Sequence, residues 1–379
     1  MESIENKFFQ LLRLSIGSSS IVPRIQPAEW IEIYDMAARQ SLLGVAFDGV
    51  EKIGETAGIN SGLLLKWLGQ CKMIEKRNHV LNDAVIYISA YFKKKGFDSC
   101  ILKGQGNALM YPYPLHRSPG DIDIWVSGNP AEVIRFVRGV EPEGKASYHH
   151  IDFPSYKGIP IEVHYRPCYV NNWVYNTRLQ RYFRSMAASQ FANRVEAGQG
   201  GFSMPTLQFN IVYQLVHIYN HVLQEGIGLR QFVDYYFVLK SLNTDGTDGH
   251  GCHDGRGEKS PTDFTDDTDL TVLQRELRWL GLWKFAGAVM FVLHEVLGLP
   301  KEWMIAPMDE RRGKLLLDEI MQGGNFGQHA EKNHSGSMTW RHNVYRLQKD
   351  LKLMRYYPGE CLSEPFYRMW HFVWRMKHR

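Results

Sequence analysis

The chain has 379 residues, with 44 Lys and Arg against 40 Asp and Glu, a formal net charge of +4, and 13% aromatic residues. That length allows about two or three domains and a core that needs neither disulfides nor structural metal. The near-balanced charge gives no sign of a nucleic-acid or anionic-membrane binder, and the aromatic content excludes extensive disorder. Five widely separated cysteines with no CxxC pair exclude a disulfide framework and the common zinc modules, and fit a reducing compartment. The N-terminus lacks the basic start and apolar core of a secretory leader, and no run of ~18 apolar residues exists to span a bilayer. The expectation is a soluble cytoplasmic protein.

The first 95 residues read as helices. Phe8, Leu11, Leu12 and Leu14 lie in an apolar opening segment, Pro27 begins a second helix, and a third runs from Gly62 to the breaker at Gly96. The pattern then changes. Ser99 to Leu102 suits a buried strand, a Gly- and Pro-punctuated stretch follows, and Ile122 to Val126 is a second strand. Pro130 starts a helix that ends near Gly139. Ser147 to Phe153 and Ile159 to Tyr165 are two further strands, joined through Pro154 to Gly158 as a hairpin. The rest reads as helical, with segments starting after Pro205, from about Leu229 to Leu242, and from Leu270 to Leu297 with a break near Gly281. Residues 243–268 lose nearly all apolar content and read as a flexible polar insertion. A Gly-rich turn is expected at 323–327. The fold class is therefore α+β, divided into an N-terminal helical region (1–95), an α+β core (96–200) and a C-terminal helical domain (201–379).

The stretch ILKGQGNALMYPYPLHRSPGDIDIWV, residues 101–126, carries the chemistry. Asp121 and Asp123 are two apart at a strand, so both carboxylates share one face and Ile122 and Ile124 the other. Chance gives about four carboxyl-x-carboxyl pairs in such a chain, and three occur, so spacing alone carries no signal. Context does: Glu141/Glu143 flank Pro142 in a turn, Asp267/Asp269 end the polar insertion, and only Asp121/Asp123 alternates with Ile. Two adjacent carboxylates repel unless a cation lies between them, which points to a hard divalent ion and the phosphates it carries. Glu162, between Ile161 and Val163 on a later strand, completes a three-carboxylate cluster if the two strands are neighbours. The bland alternative for all three is a solvated strand face.

Upstream, Lys103 and Gly104 lie between a strand and a short helical stretch, where backbone N–H groups and an ammonium can meet phosphate. Neither the P-loop nor the dinucleotide fingerprint is present. Arg117, four residues before Asp121, is a second candidate phosphate ligand, with an ordinary surface arginine as the alternative.

Taken together, Leu102-Lys103-Gly104, Arg117, Asp121-Ile-Asp123 and Glu162-Val-His164 resemble the polymerase-β-type nucleotidyltransferase superfamily, and within it the bacterial uncharacterised nucleotidyltransferases. A later Leu-Arg-x-Phe-x-Asp signature of that group matches Leu229-Arg230-Gln231-Phe232-Val233-Asp234. The resemblance implies a small mixed-sheet core embedded between helical regions. Asp121, Asp123 and Glu162 would bind Mg²⁺ or Mn²⁺, and Lys103 and Gly104 would meet the phosphates of an NTP. It implies transfer of NMP to an acceptor hydroxyl or phosphate with release of pyrophosphate. The acceptor class (small molecule, protein or RNA) stays open. One departure stands out: the serine that usually follows this glycine is replaced by Gln105. That motivates an alternative, a catalytically weak or inactive nucleotide-binding or interaction module on the same fold.

His217 and His221 are i, i+4 on a helix but lack the glutamate of a metalloprotease motif, so packed or hydrogen-bonded imidazoles are expected. A milder option is that His164, His217, Arg230 and Asp234 line an acceptor groove. His250, Cys252 and His253 cluster in the polar insertion without a fourth zinc ligand. The basic, aromatic tail from Pro365 reads as an amphipathic terminal helix whose aromatics pack on the body, with nucleic-acid binding as the alternative.

Overall fold

A computed structural model describes residues 2–197, 200–224, 226–244, 270–324 and 352–377. His250, Cys252, His253, almost all of the polar insertion, and residues 325–327 of the Gly-rich turn lie outside them. The fold is α+β, with a small mixed sheet and helices at both ends.

Three helices open the chain: α1 (Ile4–Ile16), α2 (Trp30–Arg39, entered through a 3₁₀ turn at Pro27–Glu29) and α3 (Leu43–Ile53). The Ser3 side chain accepts from the Asn6 N–H at the start of α1, satisfying one of the exposed first-turn donors. Helix α3 is not anticipated by the sequence, because Gly44, Asp48 and Gly49 interrupt its apolar pattern while being buried. Gly44 is there for space: a Cβ would sit 2.2 Å from the His116 carbonyl oxygen. Gly44→Ala is expected to cost about 1–3 kcal/mol through this overlap with backbone, measured as a lowered urea midpoint with an unchanged slope.

Helix α4 (Ser61–Lys94) spans two cores. Trp67 and Cys71 join the core of α1–α3, while Leu81, Val85, Ile88 and Phe92 face the sheet. Between them, buried Asn78 donates through Nδ2 to the carbonyls of Leu115 (2.7 Å) and Arg117 (2.8 Å). His116 is held by Asp48 of α3 and by Glu75 of α4. The loop ahead of the aspartate strand is thus pinned to two helices.

The sheet contains β1 (Ser99–Ile101), β2 (Ile122–Val126), β3 (His150–Tyr156) and β4 (Ile159–His164), in the order β1-β2-β4-β3. Strands β2 and β4 are parallel, with Asp123 opposite Glu162, and the other two pairings are antiparallel. The expected hairpin is present but its turn is tighter. Lys157 and Gly158 both take positive φ, 49° and 76°, the pattern of a two-residue hairpin loop. Pro154 to Tyr156 belong to β3 instead of the turn; proline is tolerated there because β3 is an edge strand.

Helix α5 (Gln105–Ala108) follows β1, and α6 (Pro130–Val140) buries Val133, Ile134 and Val137 against the sheet. The sequence reading gives no bounds for α7 (Trp173–Ala192) within the stretch it takes as helical, and no warning of the small hairpin β5 (Arg194–Ala197) and β6 (Gly200–Ser203). Only Leu179, Tyr182, Phe183 and Gln190 of α7 are buried, and four-residue strands are too short to show a period. Helices α8 (Leu207–Gln224), α9 (Leu229–Thr244), α10 (Leu270–Trp279) and α11 (Trp283–Leu297) follow the expected order, then α12 (Glu310–Gly323) and α13 (Pro358–Lys377). One apolar core contains residues from α1–α3 together with α8, α9 and α11. In α13, Tyr367 and Trp370 pack on Tyr148, whereas Phe366 and Phe372 are exposed. Part of the expected aromatic packing is therefore replaced by an open face. Among the described residues, no helix is long and apolar enough to cross a membrane.

Candidate active site

Strand β2 is buried along its whole length. Ile122, Ile124 and Val126 face the core shared with α4 and α6. On the other face, Trp125 stacks on Phe209 of α8 at 5.7 Å, so α8 covers the face that carries Asp123. Between this face and α8 lies a cavity of about 250 Å³, lined by Asp121, Asp123 and Glu162 together with Lys103, His164 and His217. The two aspartates and the glutamate proposed from the sequence therefore share one cavity, and the parallel pairing of β2 with β4 brings them there.

Asp123 is 3% exposed. Its Oδ1 accepts from His164 Nε2 at 3.0 Å, and its Oδ2 lies 3.1 Å from the Lys103 ammonium. His164 Nδ1 faces the carbonyls of Pro167 (3.2 Å) and Arg166 (3.3 Å), so it must donate. With Nε2 also donating to Asp123, the ring is an imidazolium. Burial opposes that charge, but the hydrogen bonds to Asp123 and Glu162 outweigh it and push the His164 pKa up to about 9. Burial likewise works against the charges of Asp123 and Lys103. Lys103 holds Asp123 below the usual carboxylate range, and Asp123 raises Lys103 above the usual ammonium value. Glu162 is held low, against burial, by His164 and His150.

A pH dependence follows. Because the folded pKa of His164 lies above its ordinary 6.5, its contribution to stability is complete below pH 6.5 and is lost as pH rises through about 9. At about 1.4 kcal/mol per pKa unit the loss is on the order of a few kcal/mol. Urea unfolding in chelator-containing buffer should show this fall between pH 6.5 and 9.5, and His164→Gln should flatten it.

Lys103 also donates to His217 Nε2 at 3.0 Å, since an ammonium has no acceptor site. His217 is neutral: burial, then the charge of Lys103, pull its pKa well below the ordinary value. His221 Nε2 lies 3.1 Å from the same nitrogen. The pair on α8 is thus hydrogen-bonded into the cavity wall, as the sequence suggests.

Gly104 takes φ +68° and nothing approaches its Cβ position closer than 3.9 Å, so backbone conformation, not space, calls for glycine. Gln105 is buried and hydrogen-bonds Asn82 of α4 through Nε2. Its side chain is committed to α4 and offers no hydroxyl to the cavity.

Arg117 is not a solvent-facing phosphate arm. It is 4% exposed, and its Nε and Nη2 form a two-pronged pair with Asp234 Oδ1 and Oδ2, both at 2.8 Å. Tyr111 donates to Asp234 Oδ1 at 2.6 Å, and Arg230 Nη1 reaches the Ser118 carbonyl at 3.4 Å. Arg117, Arg230 and Asp234 line a smaller neighbouring cavity that shares Lys103 and His217 with the main one.

Among the cavity residues that the sequence reading passes over are two histidines, His149 and His150. His150 is the register partner of His164, and its Nδ1 is 3.3 Å from Glu162 Oε2. A His-His doublet opening one strand of a hairpin whose other strand ends Glu-x-His is the signal that could have found them.

The donor chemistry fits a hard divalent cation. Three carboxylates line one cavity, and Asp123 Oδ2 is buried with the Lys103 ammonium 3.1 Å away. Asp123, Glu162 and His164 bring ligand-type atoms within 4.8 Å of one another, with Asp121 at the same cavity. An aspartate strand beside a parallel glutamate strand, preceded by Lys-Gly after an antiparallel neighbour, defines a nucleotidyltransferase-type α+β core. The chain belongs to the Uncharacterised nucleotidyltransferase family, whose pattern matches residues 26–249. No curated protein and no solved structure matches it.

Proposed function

We propose that the protein is a divalent-metal-dependent nucleotidyltransferase that moves NMP from an NTP to an acceptor hydroxyl or phosphate. The observation that carries this reading is the register of Asp123 opposite Glu162 on parallel strands, with Asp121 and Lys103 at the same cavity. Residues 96–200 form the catalytic unit in this reading, with residues 1–95 and 201–379 supplying its helical surroundings.

Asp121, Asp123 and Glu162 would hold Mg²⁺ or Mn²⁺, which when bound neutralises triphosphate charge and orients the leaving pyrophosphate. The acceptor oxygen attacks the α-phosphorus, the bond from that phosphorus to the β-bridging oxygen breaks, and Glu162 takes the acceptor proton when the acceptor is a hydroxyl. Lys103 and the Gly104 backbone steady the phosphates. His164 fixes the rotamer of Asp123. Arg117 holds the loop ahead of β2 through Asp234 and has only its remaining N–H groups to offer a phosphate. His217 and Arg230 face the acceptor side of the cavity.

Pyrophosphate release from each NTP, with Mg²⁺ or with chelator and with mixed small-molecule, protein and RNA acceptors, tests this reading. Release should need the metal and disappear in Asp121→Asn. Gln105 favours a second reading, a nucleotide-binding module without turnover, because its side chain is turned into α4 and no hydroxyl follows Gly104. That reading predicts metal-dependent NTP binding with no pyrophosphate from any mixture.

A further inference from the structure

The imidazoles of His149, His150 and His164 meet at the β3/β4 end of the cavity, with one ring nitrogen from each within 4.8 Å of the others. We propose that these three nitrogens, with Glu162 Oε2, form a binding site for a borderline divalent transition metal, zinc foremost. This site goes beyond the hard-cation site of the aspartates and does not depend on nucleotidyl transfer.

Three of the neighbouring donor pairs have the spacing of a four-coordinate site. Zinc–ligand bonds of about 2.0–2.1 Å place tetrahedral donors roughly 3.3 Å apart. Here His149 Nε2 and His150 Nδ1 are 3.1 Å apart, His150 Nδ1 and Glu162 Oε2 3.3 Å, and Glu162 Oε2 and His164 Nε2 3.5 Å. Outer hydrogen bonds hold two of the rings in place. The Ser147 oxygen accepts from the backbone N–H groups of His149 and His150, and its hydroxyl lies 3.3 Å from His149 Nδ1 and 3.2 Å from the His150 carbonyl. His149 thereby turns Nε2 toward His150 Nδ1. His164 Nδ1 donates to the Pro167 carbonyl, so a metal would bind at Nε2 by displacing the proton that this nitrogen gives to Asp123. Such outer partners are what fix a ligating imidazole. Imidazole donors select zinc and its neighbours over magnesium; because Glu162 belongs to both ligand sets, the two cations compete for its carboxylate. The strands are rigidly coupled, since His150 and His164 are register partners.

Chelator-treated full-length protein should bind one equivalent of Zn²⁺ per chain by calorimetry, and Co²⁺ should give the visible spectrum of a nitrogen-rich site. His149→Ala and His150→Ala should each weaken zinc by at least ~100-fold, since losing a ligand costs no less than losing its outer partner. Asp121→Ala should keep the zinc while losing any nucleotidyl transfer, which separates failure of this proposal from failure of the transferase reading. X-ray absorption of the wild-type zinc protein needs no variant to fold and should show three imidazoles. Zinc no tighter than Mg²⁺, one imidazole or none, or undiminished zinc binding in the folded His149→Ala, His150→Ala double variant would overturn the site.

Discussion

Asp123→Asn is expected to reduce nucleotidyl transfer by ~10³-fold or more, with the protein still folded. The amide keeps the volume of the carboxylate, and its oxygen can still accept from His164 Nε2. What it loses is the charge that faces Lys103 and, in the proposed reaction, a divalent cation. Charge stabilisation of that kind is worth several kcal/mol in a water-poor site, and about 4 kcal/mol corresponds to ~10³ in rate. The loss should appear in turnover and should not be recovered by more NTP. Stability should fall as well, because Lys103 and His164 would keep buried positive charge opposite a neutral amide. Assays at a temperature where circular dichroism shows a folded variant separate the two effects. Retention of more than a tenth of wild-type turnover would count against Asp123 as a metal ligand.

Asp234→Ala is expected to cost about 3–5 kcal/mol of unfolding free energy, with little direct effect on chemistry if the protein remains folded. The carboxylate receives both arms of Arg117 and the Tyr111 hydroxyl. Its removal leaves a guanidinium 4% exposed without its counter-charge. The double variant Arg117→Met, Asp234→Leu should cost less than the single one, since an apolar pair of similar volume avoids the stranded charge. Equal or greater loss in the double variant would show that the pair matters through shape and not through charge. Denaturant unfolding of the three proteins reads the comparison.

The long α4, the helix order from α8 to α11, and the hairpin carrying Glu162 were legible because each has a strong period bounded by Gly, Pro or a polar gap. The three carboxylates were legible for a related reason: alternation with Ile marks Asp121/Asp123 and Glu162 as sharing a face opposite the isoleucines, although Asp121 falls just before β2. Helix α3 was hidden by buried Gly44 and Gly49, whose small size serves close packing instead of a pattern. The pairing of Arg117 with Asp234 joins positions 117 residues apart, and no local rule can reveal that a guanidinium in the loop ahead of β2 is already satisfied. Nor can the sequence place His149 and His150 beside His164, because that follows from the register of β3 on β4.

The central claim is transfer of a nucleotidyl group at the Asp121/Asp123/Glu162 cavity, and α-labelled NTPs test it most directly. Each is incubated with wild type or Asp123→Asn, Mg²⁺, and protein, RNA and small-molecule acceptors, and the label is followed. The account predicts label on at least one acceptor class with wild type, abolished by chelator and by Asp123→Asn. Undiminished NTP binding by wild type with no label on any acceptor would contradict it.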